Sequence, residues 1–389
     1  MSSPSAIGAR PAESRARPDF ERIALLLQGG GALGSYQAGV YQALAEADLH
    51  PDWVAGISIG AINSALIAGN PPDRRVERLR EFWETVCAPP LGIPYLAGLE
   101  IKNDLNRMMI NQFRAMGALL WGAPSFFKPR LPPPFLPSDG PGSLSFYEVT
   151  PLRGLLERLV DFDRINREET RFSVGAVNIR TGNFIYFDNT THKITAAHIM
   201  ASGALPPGFP AVEIDGEFYW DGGIVSNTPL QWVLDARPRM DTLAFQVDLW
   251  SAHGELPRDL LEVDVRQKDI RFSSRTRAGT DFFRRMQGVR RAAAKLLDDM
   301  PESLRQTPEA ALLAQEADRK VYNIIHTIYR AKTYELASKD YEFSRRTMEE
   351  HWKAGYSDMT RTLRHPEVLQ RPQSADGVFT FDLAVQGRE

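Results

Sequence analysis

Two short stretches of this 389-residue chain carry residue types that can do chemistry. The first is Gly29-Gly30-Gly31-Ala32-Leu33-Gly34, directly after the apolar run Ile23–Leu27. Glycines so placed let backbone N–H groups approach an anionic group, and the N-terminus of a following helix adds partial positive charge. The second is Gly56-Ile57-Ser58-Ile59-Gly60, a G-x-S-x-G sequence that begins 22 residues after Gly34. Between a strand and a helix this pattern is a nucleophile elbow. Its glycines relieve crowding around a strained turn that pushes the serine hydroxyl outward. Ser58 also suits the N-cap of the helix that follows, and the two roles are compatible.

A serine hydroxyl needs a base. Six histidines follow the elbow: His192, His198, His253, His326, His351 and His365. Only His253 closely follows a predicted strand of the α/β part, which makes it the triad candidate, although Ser251-Ala252-His253-Gly254 equally suits a solvated loop. Asp221, in Tyr219-Trp220-Asp221-Gly222-Gly223, is the other candidate. Locally it reads either as a carboxylate aimed back at a site or as a plain Asp-Gly turn. The glycine run also parses as G-x-G-x-x-G through Gly29, Gly31 and Gly34. A dinucleotide site would then need an acid at the end of the second strand, and Asp52 instead precedes that strand.

The elements that must hold these residues follow from periodicity. Ile23–Leu27 and Trp53–Ile57 read as buried strands, Ser35–Asp48 and Ile59–Ala68 as helices, and this alternation predicts an open α/β sheet with right-handed crossovers. Residues 73–88 form a charged amphipathic helix. Prolines and isolated aromatics over 89–142 mark a cap-like insertion. Arg171–Asn178 and Asn183–Asp188 make a hairpin, Thr195–Ser202 a helix, and Glu217–Trp220 and Leu243–Leu249 further strands. Beyond about Glu255 the chain reads as charged helix, with a strand at Val378–Leu383.

Composition narrows the function classes. The chain is 43% hydrophobic and 24% charged with a net charge of -3, which is globular and gives no global basis for binding nucleic acid. Cys87 is the sole cysteine, so no intramolecular disulfide or Cys-based metal site can form, and a reducing, cytoplasmic setting is expected. No acidic loop of the calcium-binding kind is present, and no cofactor is expected. No apolar run reaches the roughly 18 residues of a membrane span. Residues 1–20, rich in Ser, Pro and Arg, read as a disordered leader.

The glycine run, the elbow, Ala201-Ser202-Gly203-Ala204-Leu205-Pro206 running to Phe209-Pro210, and Asp221-Gly222-Gly223 with Asn227 and Pro229 occur in the order seen in patatin-like phospholipases. The chain resembles that family over about residues 21–250. The resemblance implies a three-layer α/β/α fold around a mostly parallel sheet. It implies a Ser–Asp dyad of Ser58 and Asp221, an oxyanion hole in Gly29, Gly30 and Gly31, a lipid or other acyl-ester substrate, and no metal. Leu33 departs from the pattern, since the family has a basic residue there. Residues 251–389 resemble an extension attached to some bacterial members and are expected to be mainly helical.

Other functions compete. A thioester or polyester hydrolase would use the same dyad, and a catalytically silent lipid-binding scaffold would keep the fold. An acyl-carrier transacylase normally has His before the serine, where Ile57 stands. For lipid contact, Trp121, Phe126 and Phe127 form a candidate lid. Residues 266–295, with ten Lys/Arg against Asp269 and Asp281, form a candidate patch for peripheral contact with an anionic membrane.

Overall fold

A computed structural model describes residues 17–88, 104–123, 125–130, 140, 143–273, 276–332, 335 and 338–383. The N-terminal elements are β1 (Arg22–Leu27), α1 (Ser35–Glu46), β2 (Trp53–Gly56), α2 (Ile59–Ala68), α3 (Arg75–Val86), α4 (Asp104–Trp121), β3 (Lys128–Pro129) and β4 (Tyr147–Glu148). Then come α5 (Thr150–Leu159), α6 (Phe162–Asn166), β5 (Arg171–Asn178), β6 (Phe184–Asp188), α7 (Ala196–Ser202), β7 (Val212–Ile214), β8 (Glu217–Asp221), α8 (Leu230–Leu234) and β9 (Thr242–Asp248). The C-terminal part adds α9 (Leu260–Phe272), α10 (Thr276–Asp298), α11 (Glu302–Arg305), α12 (Pro308–Glu316), β10 (Tyr322–Ile328), α13 (Arg345–Thr362) and β11 (Val378–Asp382).

One sheet runs β11-β10-β9-β1-β2-β5-β8-β7, with β6 also paired to β5. The strands from β11 to β5 are mutually parallel, and β6, β8 and β7 close one side with antiparallel pairings. Every residue of β1 and β9 is buried, as expected for parallel strands covered on both faces. One face carries α1, α2, α3, α7 and α13 through residues such as Tyr36, Leu66, Trp83, Ile199 and Trp352. The other carries α8 and α10 through Leu230, Val233 and Phe283. The three-layer α/β/α fold with a mostly parallel central sheet is therefore as expected.

The sheet does not stop at residue 250. β10 pairs with β9 over seven residues and β11 with β10, so the C-terminal region completes the same sheet while contributing five helices. β10 falls in a stretch expected to be helical; Val321-Tyr322-Asn323-Ile324-Ile325 is a short apolar run between charged neighbours, for which periodicity alone does not separate strand from helix. α13 then lies against α1 at a crossing with no room for side chains. A Cβ on Gly39 would meet the Trp352 carbonyl oxygen at 1.9 Å, and one on Gly355 the Tyr36 carbonyl oxygen at 2.0 Å.

Most of the expected leader, residues 1–16, lies outside the described residues. Order begins before residue 21, because Arg17 pairs with Asp52 and Phe20 is buried in the core. Within the insertion, 89–103 and most of 131–142 also lie outside the described residues. The β3–β4 ribbon ties α4 to the loop after α7: Tyr147 donates its hydroxyl to the Leu119 carbonyl at 2.8 Å and its N–H to the Gly208 carbonyl at 3.0 Å.

Candidate active site

β1 and β2 both end at the carboxyl edge of the sheet, beside the point where the chain order switches from β1 to β9. That edge is where open α/β sheets place their ligand sites. After β2 the backbone turns into α2 through Ser58, at φ 56° and ψ -122°. A non-glycine residue rarely adopts that conformation, and it is stored strain. The elbow glycines permit it. A Cβ on Gly56 would meet the Gly60 carbonyl oxygen at 2.2 Å, and one on Gly60 the Leu27 carbonyl oxygen at 2.2 Å. Ser58 is half-buried at the N-terminus of α2, and its N–H donates to Ser202 Oγ at 3.1 Å.

Asp221 ends β8 and is buried. Its N–H donates to the Ala204 carbonyl at 3.0 Å, and its Oδ1 accepts the Gly223 N–H at 2.7 Å. Burial pushes its pKa up to about 7, while hydrogen bonds from the Ser58 hydroxyl and the Gly223 N–H pull in the opposite direction. The carboxylate thus faces Ser58, and its proton affinity suits a base at neutral pH.

The glycine run divides into spent and unspent amides. Gly29 N–H donates to Asn227 Oδ1 at 3.1 Å, and the Gly29 carbonyl accepts from Asn227 Nδ2 at 3.0 Å and Trp250 Nε1 at 2.8 Å. The Gly29 N–H is thus already engaged, unlike those of the other two glycines of the expected oxyanion hole. Ala32 N–H is also spent, on the Asp340 carbonyl at 2.8 Å. The N–H groups of Gly30 and Gly31 have no partner among the described residues. Gly31, at φ 54°, has no room for a side chain, because a Cβ would meet the Asp340 carbonyl oxygen at 2.1 Å. Gly29 itself lies against Ser58: a Cβ there would sit 3.0 Å from the serine Cβ. Leu33 is fully buried in the core.

His253 is exposed, and no hydrogen bond joins its ring to Ser58 or Asp221. Among the described residues no cluster of His, Cys, Asp and Glu has metal-binding geometry. A cavity of about 670 Å³ lined by Tyr186, Ser226, Thr228, Trp232 and Gln246 includes neither Ser58 nor Asp221.

Sequence comparison places the chain among known proteins. The profile of the patatin-like phospholipase family matches residues 25–234, more than half of the chain. The chain belongs to the patatin-like phospholipase family. A second profile, described as patatin phospholipase, matches residues 270–375. A patatin-like phospholipase domain-containing protein of Pyricularia oryzae is 44% identical over 86 residues, 20% of this chain and 10% of that protein. One of Caenorhabditis elegans is 40% identical over 76 residues, 17% of this chain and 6% of that protein. The chain thus matches a tenth or less of the length of these curated relatives. Among solved structures, VipD from Legionella pneumophila aligns over 91% of this chain and 71% of its own, at 16% identity and a TM-score of 0.40.

The candidate lipid-contact residues separate. Trp121 is 65% exposed, but Phe126 and Phe127 are buried against Phe209 and Phe343, and so are not a surface wedge. Trp121 instead continues an exposed apolar stripe on α4 formed by Met109, Phe113, Met116 and Leu120, while Asn111 and Ala115 face inward. The basic segment is largely consumed internally. Arg284 pairs with Asp376, Arg290 is buried and pairs with Asp235, and Arg291 donates to the carbonyls of Ala375 and Arg319. Among the described residues no helix is long and apolar enough to cross a membrane.

Proposed function

We propose that the protein is a serine acyl hydrolase acting on carboxylic esters of lipids, with Ser58 as nucleophile and Asp221 as general base. The observation that carries this reading is the strained Ser58 elbow beside the buried Asp221 carboxylate, whose pKa burial raises to about 7. Asp221 takes the hydroxyl proton as Ser58 Oγ attacks the ester carbonyl carbon. The carbonyl oxygen becomes an oxyanion and accepts hydrogen bonds from Gly30 and Gly31; such donors are typically worth about 2.7–4 kcal/mol each. The C–O bond to the alcohol then breaks, and the alcohol leaves with the proton held by Asp221. Water, deprotonated by Asp221, attacks the acyl-serine, and the acid is released as Ser58 recovers its proton. No step needs a metal.

In this reading the catalytic unit is the whole sheet, residues 17–383, in place of a hydrolase domain ending at 250. The surface offered to a lipid aggregate is the apolar stripe of α4 in place of the basic segment. Turnover of a lipid extract and a short-chain ester by wild type beside Ser58→Ala is the test. Loss of hydrolysis in Ser58→Ala supports the reading. Equal turnover by the two proteins overturns it, and a wild type inert to both substrates but bound to lipid supports the scaffold. A panel including thioesters and polyesters identifies the acyl class.

A further inference from the structure

The glycine loop is held from outside its own motif. Asn227 Nδ2, which donates to the Gly29 carbonyl, also donates to the Phe272 carbonyl at 2.9 Å, at the end of α9. Trp250, the other donor to the Gly29 carbonyl, stacks at a tilt on Phe272 with ring centroids 5.3 Å apart. On the loop's far side the Asp340 carbonyl accepts the Ala32 N–H and lies against Gly31. Two ion pairs join these supports. Lys268 Nζ meets Asp340 Oδ1 at 2.6 Å, and Lys339 Nζ meets Asp269 Oδ1 at 2.6 Å. Adjacent residues of α9 thus pair reciprocally with adjacent residues of the 338–341 turn. Both ammonium groups also face the Trp250 ring, Lys339 at 5.0 Å and Lys268 at 5.9 Å from its centroid.

We propose that Lys268, Asp269, Lys339 and Asp340 form a clamp that sets the position of the Gly30 and Gly31 amides, with Lys339 and Asp269 as its principal positioning residues. The proposal rests on the hydrolase reading above for its effect on turnover, but the clamp itself is a statement about the loop. Three facts favour a positioning role over a generic surface pair. The Lys339 side chain is only 4% exposed, so its ion pair is shielded from solvent and salt. The next residue supplies, through its backbone carbonyl, the bond that fixes Ala32. Gly31 sits at φ 54°, and the Asp340 carbonyl lies directly against it, 2.1 Å from where a side chain would begin. If the 338–341 turn shifts, the two unspent amides lose their aim. An oxyanion hole works only when its donors are set before charge develops.

The test uses the full chain. Lys339→Ala and Asp269→Asn are compared with wild type, with conservative Lys339→Arg, and with the charge-swapped pair Lys339→Asp plus Asp269→Lys. On a soluble short-chain ester, Lys339→Ala is expected to lower kcat by about 10- to 100-fold with KM within about twofold, since the donors act in the transition state. Lys339→Arg and the charge-swapped pair recover most of that loss, which a merely bulky core residue would not allow. The apparent pKa governing kcat/KM stays that of Asp221. Independently of turnover, amide hydrogen exchange over residues 30–32 speeds up in Lys339→Ala and in Asp269→Asn. If the hydrolase reading fails, wild type shows no Ser58-dependent turnover, yet the exchange measurement still decides on the clamp. If Lys339→Ala does not fold, the isosteric Asp269→Asn carries both readouts. Wild-type kcat together with unchanged exchange over residues 30–32 in folded variants overturns the proposal.

Discussion

The first 60 residues of the sheet and the last 130 of the chain stand in opposite relation to the site. In the first, the residues proposed to do chemistry are also those that make the local shape. Gly56 and Gly60 are required by backbone carbonyls 2.2 Å from where a Cβ would be, and Ser58 is strained because they allow it. In the last, no residue is placed in the proposed chemistry, yet β10, β11, α13 and the 338–341 turn complete the sheet, cover α1 and touch the glycine loop. A site therefore has two kinds of dependence. Motif residues shape it through contacts within the first two strands and their turns, and remote residues keep it in place through contacts some three hundred positions away.

The sharpest way to break this comparison is to remove the remote part. A chain ending at residue 250 leaves β9 without its β10 partner and uncovers Tyr36 and Val40 on α1. It is expected to yield no folded, soluble protein, as read by circular dichroism and sedimentation. A folded, active fragment would make the C-terminal part dispensable.

The dyad variants follow in size. Ser58→Ala and Asp221→Asn are expected to lower kcat by about 10⁴-fold or more while far-UV circular dichroism is unchanged. Asp221→Asn also has a stability signature. The folded pKa of about 7 lies above the ordinary aspartate value of 3.8, so the native state holds the extra proton between roughly pH 4 and 7, and stability falls as pH rises through that window. The asparagine variant is therefore expected to melt higher than wild type at pH 8 and to show little difference at pH 4. Equal melting at both values would mean that Asp221 is not desolvated.

For wild type, kcat/KM should fall about tenfold per pH unit below pH 7, as the base becomes protonated. A profile flat down to pH 5 would argue against Asp221 as base.

Surface effects are smaller. Replacing Phe113 and Trp121 by Ser is expected to reduce vesicle co-sedimentation several-fold with little salt dependence, while hydrolysis of a soluble ester stays within about twofold. Arg285→Ala should change neither. His253→Ala is expected to retain essentially full activity in the same ester assay; its loss with folding intact would restore a triad.

Much of the first region was legible in sequence because the residue types that the turns demand sit within a few positions of one another, even where the blocking carbonyl, Leu27 for Gly60, is remote. A glycine forced by a neighbouring carbonyl, or a serine between strand and helix, leaves a pattern within six residues. Asp221 was ambiguous locally and became a candidate base through the order of motifs. That the Gly29 N–H is engaged was not legible, because its partner Asn227 lies 198 positions away. Phe126 and Phe127 looked like an exposed wedge because a run of aromatics carries no sign of the aromatic neighbours, Phe209 and Phe343, that bury them. The basic segment misled for the same reason: its partners Asp235 and Asp376 are distant in sequence. Trp250, Lys339 and Asp340 had no local signal, since a carbonyl that fixes a remote glycine can belong to any residue type.

The close crossing of α1 and α13 has a consequence for the order in which the protein is made. Gly39 leaves the ribosome some three hundred residues ahead of Gly355, and the close contact between the two helices cannot form until both exist. Ser58 and Asp221 have both left the ribosome long before that contact can form. A nascent chain thus carries both residues of the proposed dyad before α13 covers α1. A chain halted on the ribosome short of α13 is expected to leave nearby lipid esters intact, and hydrolysis should begin only when α13 docks. Docking of α13 onto α1 would then be the event that completes the proposed site.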